Sequence, residues 1–413
     1  MLDEAGSRAS SESSLSTSAG SVAPIRIGLL WHSLSSGNLG VGALTLANMA
    51  LARQVAYDMG LAPQFVVMGM RDGDAPRITG PDIEEYIINS RRMLNPTGFW
   101  RTVGTVDCVL DIGAGDSFAD IYGAKRFGFL WLTKMMALAR GKPLVLSPQT
   151  IGPFTQPGYR TLGAMAMRGA SAIIARDDKS LEVAQAMAPS ATIKLAVDVA
   201  FVLPFQSRRG PAGTGRLKIG VNASGLLFHE AETGRNRFGL SYDYAQFTRK
   251  LIARLIAAGA EVHLVPHATS KSDPKDDDGS LAERLASEFP QAVRVAEFSG
   301  ASEAKSYISG LDFLVAGRMH ACIGAYSANV PMVAVAYSRK FSGLFGMLEH
   351  EWMVPVTGMT DDGAVDYVLG AVEQREQIAA AERRGMTRVD GLLDIYRGEL
   401  HRVFAEAMAR RAD

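Results

Sequence analysis

Residues 25–60 read IRIGLLWHSLSSGNLGVGALTLANMALARQVAYDMG. The first ten make the apolar run of a strand buried on both faces, the glycines and asparagine after them make a turn, and the rest has the spacing of an amphipathic helix. This strand, turn and helix unit decides the fold because the order recurs. QFVVMGM (64–70) reads as a second strand, VDCVLDIGAGDSF (106–118) as a third ending in a glycine turn, and KPLVLSPQTIGPF (142–154) as a fourth ending at prolines. SAIIARDDKSLEVAQAM (171–187) and TIKLAVDVAFVLP (192–204) repeat the alternation, which indicates a parallel sheet covered on both faces.

The polar, glycine-rich and basic stretch FQSRRGPAGTGR (205–216) interrupts this pattern and reads as a linker. Beyond it LKIGVNAS, AEVHLVPHA, AVRVAEF, LDFLVAGRMH and MVAVAYS are strands between helical stretches, so the second half repeats the architecture of the first without a visible sequence repeat. The expected division is a disordered tail over 1–22, a Rossmann-like domain over 23–204, the linker, a second Rossmann-like domain over 217–363, and helices over 364–413 that pack back across the linker. Two doubly wound α/β domains facing a cleft place a ligand crevice at the carboxyl ends of their strands.

Composition narrows the function. A chain of 413 residues exceeds what one core serves, and its 47% apolar content fills two. Lys plus Arg number 43 and Asp plus Glu 43, and no long basic run supplies the field that nucleic acid requires. The two cysteines, Cys108 and Cys322, lie in apolar segments without metal-ligand spacing and read as buried thiols of a reducing compartment. The serine-rich start lacks the apolar centre of a secretory signal, and no window approaches the roughly 20 apolar residues that span a bilayer. The expectation is a cytoplasmic enzyme that binds no metal.

The polar residues that follow strands are the site candidates. Gly37, Asn38, Gly40 and Gly42 lie between the first strand and its helix, where free N–H groups and the helix dipole favour an anion or a sugar; a tight turn is the plainer reading. GNLGVG lacks the glycine offset of a dinucleotide site. Asp116, after Gly115, either accepts protons from sugar hydroxyls or caps the next helix, while Asp111 and Asp120 read as structural. Arg176, at a strand end, either grips a carboxylate or phosphate bidentately or pairs with Asp177 or Asp178. His267 ends another strand, before consecutive aspartates that read as a solvated loop rather than a metal site; His32, His229 and His263 are less telling. Arg318 and His320 fall in the turn between LDFLVAG and the small-residue helix ACIGAYSAN. There the arginine can hold an anion and the histidine, with an ordinary pKa of about 6.5, can deliver a proton, or the histidine is simply a satisfied core residue. Lys340 either adds a further positive charge or lies on the surface.

These pieces in order, GNLGVGALTLANMA, DIGAGDSFAD, LSPQTIGPF, ARDDKS, AVDVAF, VPHATSKSDPKDDD and above all AGRMHACIGAYSANVPMVAVAYSRK, resemble the polysaccharide pyruvyl transferase family from about residue 25 to 350. The resemblance implies a glycosyltransferase-B-like pair of domains with the acceptor on the amino-terminal side and the donor on the carboxy-terminal side. It implies phosphoenolpyruvate as donor, a glycan or lipid-linked oligosaccharide as acceptor, and a cyclic pyruvate ketal as product, with no cofactor. Arg176 and Arg318 look like ligands of the donor anion and His320 like the acid; from the residues themselves, His267 and Lys340 are further candidates for the donor side and Asp116 for accepting the sugar proton. Peripheral membrane association through the acceptor and oligomerisation are compatible with it. Val41 stands where the family often has an acidic residue, which removes any acceptor contact through that carboxylate. The rival readings are a nucleotide-sugar glycosyltransferase on the same architecture and a non-catalytic glycan-binding relative.

Overall fold

The computed structural model describes residues 22–71, 73, 76–113, 117–210, 215–270 and 273–412. Its first sheet comprises β1 (Ala23–Leu30), β2 (Leu61–Gly69), β3 (Ile83–Ile87), β4 (Cys108–Asp111), β5 (Ser117–Phe118), β6 (Leu144–Ile151), β7 (Ala172–Ala175) and β8 (Ile193–Leu195). Their order is β3-β2-β1-β4-β6-β7-β8, with β5 paired to β6. The second comprises β9 (Lys218–Asn222), β10 (Glu261–Leu264), β11 (Val293–Arg294), β12 (Phe313–Ala316), β13 (Met332–Val335) and β14 (Met353–Val354), in the order β11-β10-β9-β12-β13-β14. Every pairing is parallel, because helical crossovers cover both faces of apolar strands. In each sheet the order reverses beside its first strand, and the crevice outside the carboxyl ends opens at that point. The two doubly wound domains expected from the alternation are therefore present.

Three local readings change. The edge strands β3 and β14 escape a search for apolar runs because β3, IEEYI, is half exposed and β14 has only two residues. AVRVAEF yields a paired segment of just Val293–Arg294, both exposed. The helix Leu39–Asp58 is not amphipathic: it is buried on most of its surface, because it packs on the first sheet, the turn Val199–Val202, the carboxy-terminal helix and two helices of the second domain, Ala301–Ile308 and Met319–Ser327.

Several contacts tie the domains together. The described part of the 205–216 stretch is pinned to the second domain by Gln206 N–H to Ser306 Oγ (3.0 Å) and Arg208 N–H to Ser309 Oγ (2.8 Å). Beside it, Lys305 is buried and donates to the carbonyls of Phe201 (3.0 Å) and Leu203 (3.1 Å), its ammonium brought down to about 7 by burial. At the carboxy terminus, helix Asp361–Glu373 packs on Tyr244–Ala257 in the second domain, so the return to the first domain begins later than residue 364, with helix Arg375–Ala412. Tyr396 of that helix hydrogen-bonds Asn48 and Ser147 at 2.8 Å each, and Asn48 donates to His32 Nε2 at 3.0 Å. His32, which donates to the Leu30 carbonyl, is neutral, held down to about 3 by burial.

Within the first domain Lys134 and Asp111 form an ion pair of 3.0 Å with neither side chain exposed. Asp120 accepts from the Thr155 and Gln156 N–H groups, and Cys108 and Cys322 are buried and free. No helix among the described residues is long and apolar enough to cross a membrane.

Candidate functional site

The carboxyl ends of strands from both sheets converge where the domains meet. From the first domain, Arg176 follows β7, and its Nη1 donates to Asp198 Oδ2 at 2.7 Å while Nε donates to Thr150 Oγ1 at 2.9 Å. Both charged groups are buried. Asp198 in turn caps the turn Val199–Val202, accepting from the Ala200 N–H at 2.9 Å. The ion pair that the sequence allowed for Arg176 with Asp177 or Asp178 is thus made with Asp198, because Asp177 caps its own helix through the Ser180 N–H at 2.8 Å.

From the second domain, His320 lies in the first turn of helix Met319–Ser327, which follows β12 and has no side-chain cap. Its Nε2 is 3.8 Å from Asp198 Oδ2, too long for a hydrogen bond, and this buried nitrogen has no hydrogen-bond partner. Its other face meets the first domain at Gly40. A Cβ there would sit 2.8 Å from the imidazole Cγ and 3.0 Å from Cε1, so only glycine lets ring and backbone approach. Gly40 is therefore inside the helix Leu39–Asp58, where it admits the ring, and Asn38 is the cap, accepting from the Gly40 N–H at 3.0 Å. The anion-turn reading of this loop gives way to a docking one, since the Thr269 N–H donates to Gly37 O (2.9 Å) and the Leu39 N–H to His267 O (3.2 Å).

Burial lowers His320 below the ordinary histidine value; Asp198 opposes that effect and Arg176 adds to it. The imidazole at rest is neutral near pH 7, unlike the charged acid read from sequence. His267, on the loop after β10, is buried and held down to about 3, by burial first and then by His320.

Arg318, which precedes His320, donates from Nη2 to Asp276 at 2.6 Å and to Asp278 at 2.7 Å, and from Nε to Asp278 at 3.2 Å. Burial disfavours its charge, but Asp278 and Asp276 outweigh that and hold it protonated. Asp278 also accepts from Asn222 Nδ2 (3.1 Å) and from the N–H groups of Gly225 (2.9 Å), His267 (3.1 Å) and Ala268 (3.1 Å). The aspartates read as a solvated loop are thus partly the built counter-charge of Arg318, and Asp277 caps helix Asp278–Glu288. A donor anion that reached Arg318 would compete with these carboxylates, of which Asp276, 37% exposed, is the displaceable one.

Lys340, after β13, has its Nζ 3.4 Å from Tyr122 Oη of the first domain and its pKa lowered to about 8 by burial. Asp116 and Gly115 lie outside the described residues. Among the described residues no group of three His, Cys, Asp or Glu side chains could hold a metal ion. A depression of about 510 Å³ opens in the first domain beside β1, lined by Trp31, His32, Ser33, Val41, Tyr122 and Arg126.

Sequence reasoning gave no site role to Asp198, Thr150 and Asn222, and it placed Asp278 in a solvated loop. Asp198 carried one signal, a single acid between apolar residues in AVDVAF.

The sequence model of the polysaccharide pyruvyl transferase family matches residues 46–339. No curated protein matches the chain. Among solved structures, the chain is similar to a Listeria monocytogenes protein described as a UDP-N-acetylglucosamine 2-epimerase, at 13% identity over 87% of this chain and 91% of that one, with a TM-score of 0.54. It is similar to a UDP-glucose:anthocyanidin 3-O-glucosyltransferase at 10% identity over 92% and 99% of the two chains, TM-score 0.53, and to HepE of Anabaena at 12% over 93% and 99%, TM-score 0.52. At such identities the likeness shows the fold, two parallel-sheet domains in the glycosyltransferase-B arrangement.

Proposed function

Since the chain belongs to the polysaccharide pyruvyl transferase family, we propose that it transfers the pyruvate unit of phosphoenolpyruvate to two hydroxyls of one sugar in a surface polysaccharide or its lipid-linked precursor. The reaction leaves a cyclic ketal and releases phosphate, takes place in the cytoplasm, and brings the chain to the membrane through its acceptor. The observation that carries the reading is the place of His320, at the contact between domains and between an arginine–aspartate pair and a glycine that admits its ring.

The donor's phosphate and carboxylate would lie against the uncapped first turn of helix Met319–Ser327, where the dipole favours negative charge, with Lys340 and Arg176 adding cations. Donor charge beside the imidazole raises its proton affinity, so donor binding itself arms the acid. His320 then protonates the methylene carbon, C2 becomes cationic, and one sugar hydroxyl attacks it. The C2–O bond to phosphate breaks and the second hydroxyl closes the ring. One of the two hydroxyl protons replaces that given to the methyl group and the other leaves with phosphate. Asp116 would accept the first.

The test is phosphate release from phosphoenolpyruvate with a panel of glycan acceptors, beside calorimetric titration of phosphoenolpyruvate and of UDP-sugars. Phosphate release that His320→Gln abolishes, with donor binding retained, is expected. Binding of UDP-sugars without binding of phosphoenolpyruvate would replace the reading with glycosyl transfer, and acceptor binding without turnover of either donor with a non-catalytic role.

A further inference from the structure

The solvent-facing side of helix Ala124–Ala139 is apolar where a surface helix is ordinarily polar. Phe129 is half buried there and Leu132 is 40% exposed, one turn apart. Facing them, the short helix Ser90–Leu94 presents Leu94, 84% exposed, and between the two helices runs a groove of about 440 Å³ floored by Met93, Phe129 and Trp131. This groove shares Lys125 and Phe129 with a second depression, lined also by Met70, Arg71 and Arg92, and that one shares Met70, Arg71 and Lys125 with the depression beside β1. One continuous surface thus runs from the end of β1 out to Leu94.

Among the described residues its charge is one-sided. Arg71, Arg91, Arg92 and Lys125 are exposed around it, and among the described residues lining the three depressions there is no carboxylate. Arg71, Arg91 and Lys125 have no ion-pair partner among the described residues. The chain as a whole has no net charge, so this is a local arrangement. Exposed apolar side chains ringed by cations match the chemistry of an anionic bilayer surface, where the apolar groups enter the headgroup boundary and the cations meet lipid phosphates. A second copy fits poorly, because a two-fold contact would press the cationic rim against itself.

We propose that this face docks the chain on anionic membrane, with Leu94 and Leu132 inserted and Arg71, Arg91, Arg92 and Lys125 at the phosphates. The proposal deepens the acceptor side of the function above, since it turns the depression beside β1 towards the surface that a lipid-linked glycan occupies.

The test is co-sedimentation of the full chain with vesicles of phosphatidylcholine alone or with a third phosphatidylglycerol, at 50 and 500 mM salt. Binding to the anionic vesicles at low salt, lost at high salt and weakened at least tenfold by Leu94→Asp with Leu132→Asp and by Arg71→Glu with Lys125→Glu, is expected. Leu94→Asp alone removes no core contact and serves should a double variant fold poorly. Equal binding to both vesicle types, no binding, or variants that bind like wild type would overturn the proposal. So would a dimer in sedimentation velocity that Leu94→Asp dissolves, which would assign the face to a second copy. Phosphoenolpyruvate titration of the same variants separates the two readings: docking lost with donor binding intact supports the membrane face, whereas vesicle binding by a chain that ignores phosphoenolpyruvate would sink the donor reading alone.

Discussion

Gly40→Ala separates the stability of the helix Leu39–Asp58 from the chemistry beside it. In a helix interior alanine is favoured over glycine by up to about 1 kcal/mol, so the helix itself should not suffer. The added methyl would lie 2.8 Å from His320 Cγ and 3.0 Å from Cε1, where unstrained carbon contacts are about 3.5–4.0 Å. The imidazole must therefore withdraw by roughly 1 Å, and a misplacement of that size in a catalytic group costs on the order of a hundredfold in rate. Gly42→Ala is the control. Its methyl meets only Ala301 Cβ at 3.8 Å, an ordinary contact, so it shares the helix effect without the clash. The assay is kcat for phosphate release with a productive acceptor, beside the thermal unfolding midpoint. Gly40→Ala should keep its midpoint and lose about a hundredfold in kcat, while Gly42→Ala keeps both. A fully active Gly40→Ala enzyme would refute the placement of His320 at the reacting centre.

Two further predictions rest on buried charge. Burial and Arg176 hold His320 below its ordinary value in the free enzyme, and a bound trianionic donor would raise it. Between the two values binding takes up a proton, so affinity for phosphoenolpyruvate should rise as pH falls from 8 to 6, by at most tenfold per unit; a binding heat at pH 7 that is independent of buffer ionisation enthalpy, or proton uptake that survives His320→Gln, would contradict it. Lys134→Met strands the Asp111 carboxylate in the interior, and breaking such a pair costs about 3–5 kcal/mol. Replacing Asp111 with leucine in the same chain should recover most of that loss in urea unfolding, and a double variant no more stable than Lys134→Met would show that the pair is not the source.

The strand and helix alternation was legible because buried parallel strands are nearly pure apolar runs, and the order of the elements then leaves few sheet topologies. That logic fails at edges, where IEEYI in β3 lacks an apolar run and AVRVAEF has a longer one than the two residues that pair. Arg176, Arg318 and His320 stood out because charged groups at strand ends are rare and expensive to bury. Their partners did not. Asp198 is 22 residues from Arg176, and Asp278 lies 40 from Arg318, so nothing local links them. Gly40 misled for a different reason. Glycine serves both a turn that cradles an anion and a helix that must admit another side chain, and only the packing of the second domain decides between them.

The candidate site is divided between the domains. Asp198 and Arg176 belong to the first domain and His320 to the second, so their relative placement, 3.8 Å from carboxylate to imidazole, is a property of how the domains sit rather than of either fold alone. Asp198 favours the imidazolium, while burial and Arg176 oppose it. Moving the domains apart would rehydrate the ring and weaken both charge effects together, returning histidine towards its ordinary pKa of about 6.5. With the domains together burial holds it neutral, and a donor anion bound beside it would add to the favourable charge of Asp198. On the mechanism proposed above, proton delivery would thereby be tied to the closed, donor-bound arrangement, and an imidazolium facing a cleft open to water would be disfavoured near neutral pH.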